Sequence, residues 1–186
     1  VAFESFGSND PCPTFDLPLR IAPGRYAISV TDGADRTATT TAEVRAGGGH
    51  GLGALGGPKL ILAGTNTFMN LSGGPVANLL KFYKLSPERL IVVHDELDIP
   101  FDSVRLKFGG GHGGHNGIRD IVSAVGTGDF VRVRIGIGRP AGRQDAADFV
   151  LKDFSSTEKK SLPSVLSDAA DAVELIATDG LAVAQL

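Results

Sequence analysis

Short apolar runs and segments with helical periodicity alternate along the chain from Lys59 onward. Apolar runs of about four to eight residues are typical of buried strands, whereas apolar residues three and four positions apart indicate an amphipathic helix. The predicted strands are residues 59–63, 90–93, 104–108 and 130–138, and the predicted helices begin near Pro75, Asn116 and Ser155. This alternation favours an α/β protein with an open sheet that carries helices on its faces.

Local signals predict where these elements begin and end. Asn116 is the predicted N-cap of a helix that Gly126 can end. Ser155 and Glu158 have the spacing of a capping box. In the strand 130–138, alternation places one set of side chains on one face (Val131, Val133, Ile135, Ile137) and a second set on the other (Arg132, Arg134, Gly136).

Residues 1–58 differ from the rest of the chain, because they contain no lysine and little periodicity. Residues 25–30 and 37–44 are rich in β-branched side chains and predict strands, and residues 46–58 predict a glycine-rich loop. Cys12 is the single cysteine, which excludes an internal disulfide and a multi-cysteine zinc site and fits the cytoplasm. No run approaches the roughly 18 apolar residues of a membrane span, and the length of 186 residues predicts one domain.

The charge of the chain is unevenly distributed. The formal net charge is −3, from 18 cationic and 21 acidic residues, which by itself argues against a nucleic-acid partner. From Arg105 to Arg143, however, seven cationic residues stand against two acidic ones, so this stretch carries +5 and the remainder −8. A local basic field matters more to a phosphate ligand than the total does. The total therefore does not exclude RNA.

An acidic segment, His94-Asp95-Glu96-Leu97-Asp98, follows directly after the predicted strand 90–93. In open α/β sheets, sites form at the carboxyl ends of the strands. An aspartate here could hold a histidine base in one tautomer, as the third member of a catalytic triad does. The same side chains could instead bind Mg²⁺ or Mn²⁺, or simply form a solvated turn.

A glycine-rich segment, K-F-G-G-G-H-G-G-H-N-G, runs from Lys107 to Gly117. Its glycines allow the backbone to approach a ligand closely and expose N–H groups at the start of the helix that follows. Lys107 could hold a phosphate together with Arg132 and Arg134, although arginines on the exposed face of a strand usually only solvate it. A plain mobile loop is the alternative interpretation.

The order of four motifs is more specific than any one of them: F-M-N-L-S-G, V-V-H-D-E-L-D, R-L-K-F-G-G-G-H-G-G-H-N-G and R-V-R-I-G-I-G-R-P. In this order they resemble the bacterial-type peptidyl-tRNA hydrolase family, from about Lys59 to the C-terminus. The resemblance implies a monomeric, cytoplasmic, single-domain enzyme with a three-layer α/β/α fold and a mixed sheet. It implies hydrolysis of the ester between a peptide C-terminus and the 3′-ribose of tRNA, with no metal or other cofactor.

The resemblance also implies a role for each matching residue. Asp95 would orient a catalytic histidine, with His115 beside it. Asn70 and Asn116 would hold the attacking water and the peptide backbone, and Phe68 would form a wall of the site. Lys107 and Arg134 would clamp a tRNA phosphate, and Phe15 stands where the family has a substrate-binding tyrosine.

Residues 1–58 depart from the family pattern and are irregular or divergent. Residues 19–24, L-R-I-A-P-G, stand where the family has T-R-H-N-x-G, whose histidine is the general base. General-base assistance is typically worth about 10²–10⁴-fold, so we predict sharply reduced or absent activity unless His50 or His115 takes this role. An imidazole within hydrogen-bond reach of Asp95 would indicate that the catalytic pair is intact.

Two other functions stay open at this point. One is a non-catalytic homologue that binds tRNA or the ribosome through the basic clamp, with binding that weakens steeply in salt. The other is a metal-dependent phosphoesterase that would use His94, Asp95, Asp98 and His112.

Overall fold

Two β-sheets and five helices form the computed structural model, which describes residues 2–3, 24–31, 37–44, 60–65, 67–140, 142 and 145–186. The strands are β1 (Ala2–Phe3), β2 (Gly24–Thr31), β3 (Thr37–Val44), β4 (Ala63–Gly64), β5 (Ile91–Glu96), β6 (Val104–Phe108) and β7 (Val131–Gly136). The helices are α1 (Gly73–Tyr83), α2 (Asn116–Val125), α3 (Ala146–Val150), α4 (Glu158–Asp179) and α5 (Leu181–Ala184), with short 3₁₀ turns at Met69–Leu71 and Pro87–Arg89.

The larger sheet is mixed, as predicted. Its strand order is β4-β1-β5-β7-β6, in which the first four strands run parallel and β6 runs antiparallel to β7. The strands β2 and β3 form a separate antiparallel pair, which confirms the strands predicted at 25–30 and 37–44.

Helices cover both faces of the larger sheet, and each face has its own apolar core. On one face α1 and α2 pack against β5 through a cluster of buried residues (Val76, Leu80, Leu90, Val92, Ile118, Ile121, Phe130). On the opposite face α4 packs against β5 and β7 through a second cluster (Ile91, Val93, Val131, Val133, Ala169, Val173, Ile176). Burial of these side chains stabilises three layers, so the predicted α/β/α arrangement is confirmed.

A close approach of α1 to α2 depends on Gly73. A Cβ atom at this position would overlap the backbone carbonyl of Asp120 and lie 2.8 Å from Ala124 Cβ. The N–H of Gly73 donates to Asp120 Oδ2 over 2.7 Å, so the carboxylate of α2 bonds to the N-terminal turn of α1. This bond fixes α1 and the turn that precedes it against α2.

The predicted element ends are partly correct. Gly126 ends α2 in the left-handed conformation with φ 84°, and Ser155 and Glu158 exchange both capping-box bonds at the start of α4. The strand predicted over 59–63 is wrong in extent, because only Ala63–Gly64 pair with a neighbour, and Lys59 lies outside the described residues. The single domain over 1–186 stays a prediction, and no helix in the described ranges is long and apolar enough to cross a membrane.

Candidate active site

The end of β5 and the start of α2 bring Asp95 and His115 together. His115 Nε2 lies 3.1 Å from Asp95 Oδ1, and the N–H of Ile118 donates to His115 Nδ1 over 3.2 Å. Because Nδ1 accepts, we assign the ring proton to Nε2, which donates to the carboxylate. The two side chains are 9% and 14% exposed. An imidazole thus lies within hydrogen-bond reach of Asp95.

His115, not Asn116, is the N-cap of α2. Its extended backbone (φ −70°, ψ 114°) and its acceptor Nδ1 cap the helix, and Asn116 is the first helical residue. Asparagine is the better cap by intrinsic preference, but only the longer imidazole of His115 caps the helix and reaches Asp95 at once. The shift by one residue leaves the Asn116 amide exposed.

His94 lies directly behind this pair. Its side chain is 5% exposed, its ring is 4.8 Å from that of His115 in an edge-on arrangement, and its Nδ1 donates to the Asp95 carbonyl over 2.6 Å. Burial, and after it the neighbouring His115, lower the pKa of His94 to about 4. His94 is therefore neutral at pH 7 and supports the backbone of Asp95 and the ring of His115.

A groove of about 410 Å³ opens beside the start of α2. Its lining residues come from the turn before α1 and from one face of α2 (Asn70, Asn116, Arg119, Asp120, Ser123). Asn70 and Asn116 are thus brought together, as predicted. Phe68 is 55% exposed two residues before Asn70 and is not among the lining residues of the groove, while Phe15 lies outside the described residues.

Arg132 does not belong to the predicted phosphate clamp. Alternation places its side chain on the face that α2 covers, where it is 3% exposed. Its guanidinium donates to the carbonyls of Gly111 and Gly110, over 2.6 and 2.7 Å, and lies 4.9 Å from the centre of the Phe130 ring. A buried guanidinium with these acceptors has no access to an external phosphate, so this part of the sequence interpretation is wrong.

Lys107 and Arg134 remain the two candidates for the clamp. In the antiparallel pair of β6 and β7, Lys107 lies opposite Arg132, and Arg134 follows two residues later on the same face. Both side chains are partly exposed. Their role in holding a tRNA phosphate stays a prediction.

The residues of the metal alternative do not converge. Asp98 pairs with Arg139 at the surface, and the Nδ1 atom of exposed His112 accepts from the N–H of Gly114. His94 faces the Asp95 backbone, as described above. Within the described residues, no three His, Cys, Asp or Glu side chains are grouped so as to hold a metal ion.

Comparisons with known proteins agree on one family. The family model described as peptidyl-tRNA hydrolase matches residues 27–186. The chain is 57% identical to a peptidyl-tRNA hydrolase of Leifsonia xyli over 179 residues, which cover 96% of this chain and 92% of the relative. It is 59% identical to one of Kineococcus radiotolerans over 150 residues, covering 81% and 75%. The similarity therefore begins well before Lys59, whereas the motifs alone indicated a resemblance only from about Lys59 onward.

A solved structure supports the same relationship. The crystal structure of peptidyl-tRNA hydrolase from Acinetobacter baumannii matches with a TM-score of 0.64 and 37% sequence identity. The match covers 72% of this chain and 67% of that one. Fold and sequence comparisons thus identify the same group of proteins.

Proposed function

The chain belongs to the peptidyl-tRNA hydrolase family, and we propose that Asp95, His115 and the groove beside them form its hydrolytic site. The activity is hydrolysis of the ester that joins a peptide to tRNA. The comparisons give no support to reduced activity or to a non-catalytic tRNA-binding protein, because the relatives carry the name of the enzyme at 57–63% identity. The observation that carries the site assignment is the bond between His115 Nε2 and Asp95 Oδ1.

In this proposal His115 Nδ1 is the atom that accepts a proton from water. Asp95 holds the ring proton on Nε2, which leaves the lone pair on Nδ1 and stabilises the imidazolium once it forms. Water must first replace the Ile118 N–H at Nδ1, and loss of an N-cap bond costs about 1 kcal/mol. A cost of about 1 kcal/mol corresponds to less than a tenfold loss of rate. This loss is small beside the rate increase of about 10²–10⁴-fold that general-base assistance contributes.

The bond changes of the reaction follow from this assignment. The oxygen of the attacking water bonds to the ester carbonyl carbon as one of its protons passes to His115 Nδ1. The bond between that carbon and the 3′ oxygen of the tRNA then breaks, and the imidazolium returns the proton to the leaving oxygen. The products are a peptide with a free carboxyl group and a tRNA with a free 3′-hydroxyl.

The groove supplies the amides that position the substrate. Asn70 and Asn116 are exposed at its wall, and their side chains can each donate to a peptide carbonyl and accept from a peptide N–H or a water. Phe68, two residues before Asn70, has an exposed ring. Lys107 and Arg134 would hold a tRNA phosphate from the face of the sheet that α2 covers. The enzyme would act as a monomer in the cytoplasm.

Single-turnover hydrolysis of a peptidyl-tRNA tests the assignment. We expect Asp95→Asn and His115→Asn each to lower the rate of the chemical step by about 10²–10⁴-fold, and His115→Asn to remove the imidazole limb of the pH profile. Asp98→Asn is the matched control for Asp95→Asn, because it neutralises an exposed carboxylate that pairs with Arg139 at the surface, and it should keep the wild-type rate. If His115→Asn hydrolysed at the wild-type rate, His115 would not be the base.

A further inference from the structure

The buried guanidinium of Arg132 donates hydrogen bonds to the glycine-rich loop that precedes His115. We propose that Arg132 is a positioning residue: it holds the glycine loop of residues 109–114 in place and so sets His115 and Asn116 for the reaction. This inference rests on the proposed function of the site. It replaces the sequence interpretation in which Arg132 binds a phosphate.

The contacts of Arg132 are all internal. Its two Nη atoms donate to two successive carbonyls of the loop, those of Gly110 and Gly111, and its guanidinium lies over the Phe130 ring. Within the described residues, no carboxylate lies at salt-bridge distance from Arg132. Burial lowers the pKa of Arg132, and the nearby Arg134 lowers it further. The charge of Glu96 acts in the opposite direction, and the two carbonyls accept the hydrogen bonds of this buried positive charge, so the attachment is costly to break.

The attachment lies at the middle of the loop, between two anchored ends. At the start, the N–H of Gly109 donates to the Phe130 carbonyl over 3.0 Å, and just beyond the end His115 Nε2 donates to Asp95 Oδ1 over 3.1 Å. The intervening chain contains glycines with positive φ, which offer little resistance to other conformations. Arg132 therefore supplies the restraint that the loop sequence itself lacks.

Restraint of the loop matters because the next residues carry the chemistry. The loop leads directly to His115 and Asn116, so a shift of its middle alters the bond to Asp95 and the wall of the groove. Misplacement of reacting groups by about 1 Å can cost 10²-fold in rate. Lysine cannot replace Arg132 here, because one ammonium group does not reproduce the planar, two-pronged donation to both carbonyls.

Kinetics at several salt concentrations separate positioning from phosphate binding. For Arg132→Lys we expect kcat to fall by about 10–100-fold, while the salt dependence of KM stays that of the wild type. For Arg134→Gln we expect KM to rise and the slope of log KM against log salt to decrease by about 1. Arg89→Lys is the matched control, since Arg89 is exposed in the turn before β5, at the opposite end of that strand from Asp95, and keeps its charge in the variant; it should change neither constant.

Two results would overturn the proposal. One is an Arg132→Lys variant that behaves like Arg134→Gln, with raised KM, a reduced salt slope and an unchanged kcat. The other is an Arg132→Lys variant with wild-type kcat and KM. Should Arg132→Lys fail to fold, Gly113→Ala disturbs the same loop, because Gly113 has φ 59°, a conformation that strains an L side chain, and a Cβ there does not contact Lys107. It should lower kcat with the same salt slope, and a wild-type kcat would contradict the proposal.

Amide hydrogen exchange provides a readout that does not depend on activity. In Arg132→Lys the N–H groups of Gly111 to His115 should exchange faster, while those of α4 keep their wild-type rates. If wild-type protein failed to hydrolyse peptidyl-tRNA, the proposed function would fail, and this exchange pattern would still decide whether Arg132 holds the loop. Unchanged exchange across the loop would overturn the role of Arg132 alone.

Discussion

Replacement of His94 by asparagine should make the free energy of unfolding less dependent on pH between about 6.5 and 4. Burial lowers the pKa of His94 from 6.5 to about 4 in the folded state, where His115, Asp95 and Arg132 act on it. In the unfolded chain this histidine takes up a proton near pH 6.5, while the folded protein binds it only near pH 4. The unfolded state therefore binds more protons in this window, and stability falls as the pH falls.

The size of the effect follows from the shift in pKa. At 1.36 kcal/mol per unit, the wild type should lose about 3 kcal/mol on going from pH 7 to pH 4 through His94 alone. Asparagine does not titrate, and its amide can still donate to the Asp95 carbonyl from the position of Nδ1. His94→Asn should therefore lack this part of the acid destabilisation and keep the remainder, which comes from other groups.

Urea denaturation followed by circular dichroism at pH 7, 6, 5 and 4 measures the difference. The expected result is a gap between the pH dependences of wild type and variant that opens below pH 6.5. His112→Asn is the matched control, because it removes an exposed imidazole and leaves His94 in place. Parallel curves for wild type and His94→Asn over the whole range would refute the buried, neutral state of His94.

Three further predictions concern packing, capping and tRNA binding. Gly73→Ala should destabilise the protein by about 1–3 kcal/mol or more in urea denaturation, because the added methyl group overlaps the backbone of α2. Gly74→Ala is the control and should be neutral or stabilising, since a Cβ there has no atom within 4 Å. Equal effects of the two substitutions would contradict the close approach of α1 to α2 at Gly73. Ser155→Ala should cost about 1 kcal/mol of stability by removing one of the two capping-box bonds, and no change in the urea midpoint would contradict that. Lys107→Gln should reduce the salt slope of tRNA binding by about 1 with little change in kcat, and an unchanged slope would remove Lys107 from the clamp.

The strongly periodic elements could be predicted from the sequence, because their side chains decide their structure locally. The strand at 104–108 and the capping box at Ser155 are of this kind, and both have the predicted position. The larger sheet also contains β1 and β4, which are only two residues long. Such short strands carry almost no periodic signal, so neither their pairing nor the strand order could be predicted.

The residues of the candidate site could be predicted from the sequence, but the hydrogen bonds that join them could not. Alternation correctly placed Arg132 on the face opposite Val131, yet a pattern of polar and apolar residues does not show whether a polar face meets water or a returning loop. The same holds for His115, whose bond to Asp95 depends on the approach of α2 to β5. The signal that could have identified Arg132 is the row of glycines itself, since a loop without side chains needs a donor from elsewhere to satisfy its carbonyls.

The position of β6 at one end of the larger sheet has a consequence for how copies of the protein behave toward one another. An end strand presents unpaired backbone groups that can recruit a strand from another molecule. Here the Gln185 side chain donates to the Leu106 carbonyl over 3.1 Å, so the C-terminal segment occupies one of those groups. Arg105 is exposed on the same strand, and a charged side chain on an end strand disfavours pairing with another chain. The C-terminal segment thus covers part of this end strand, which leaves fewer backbone groups to which a strand of another molecule could bond.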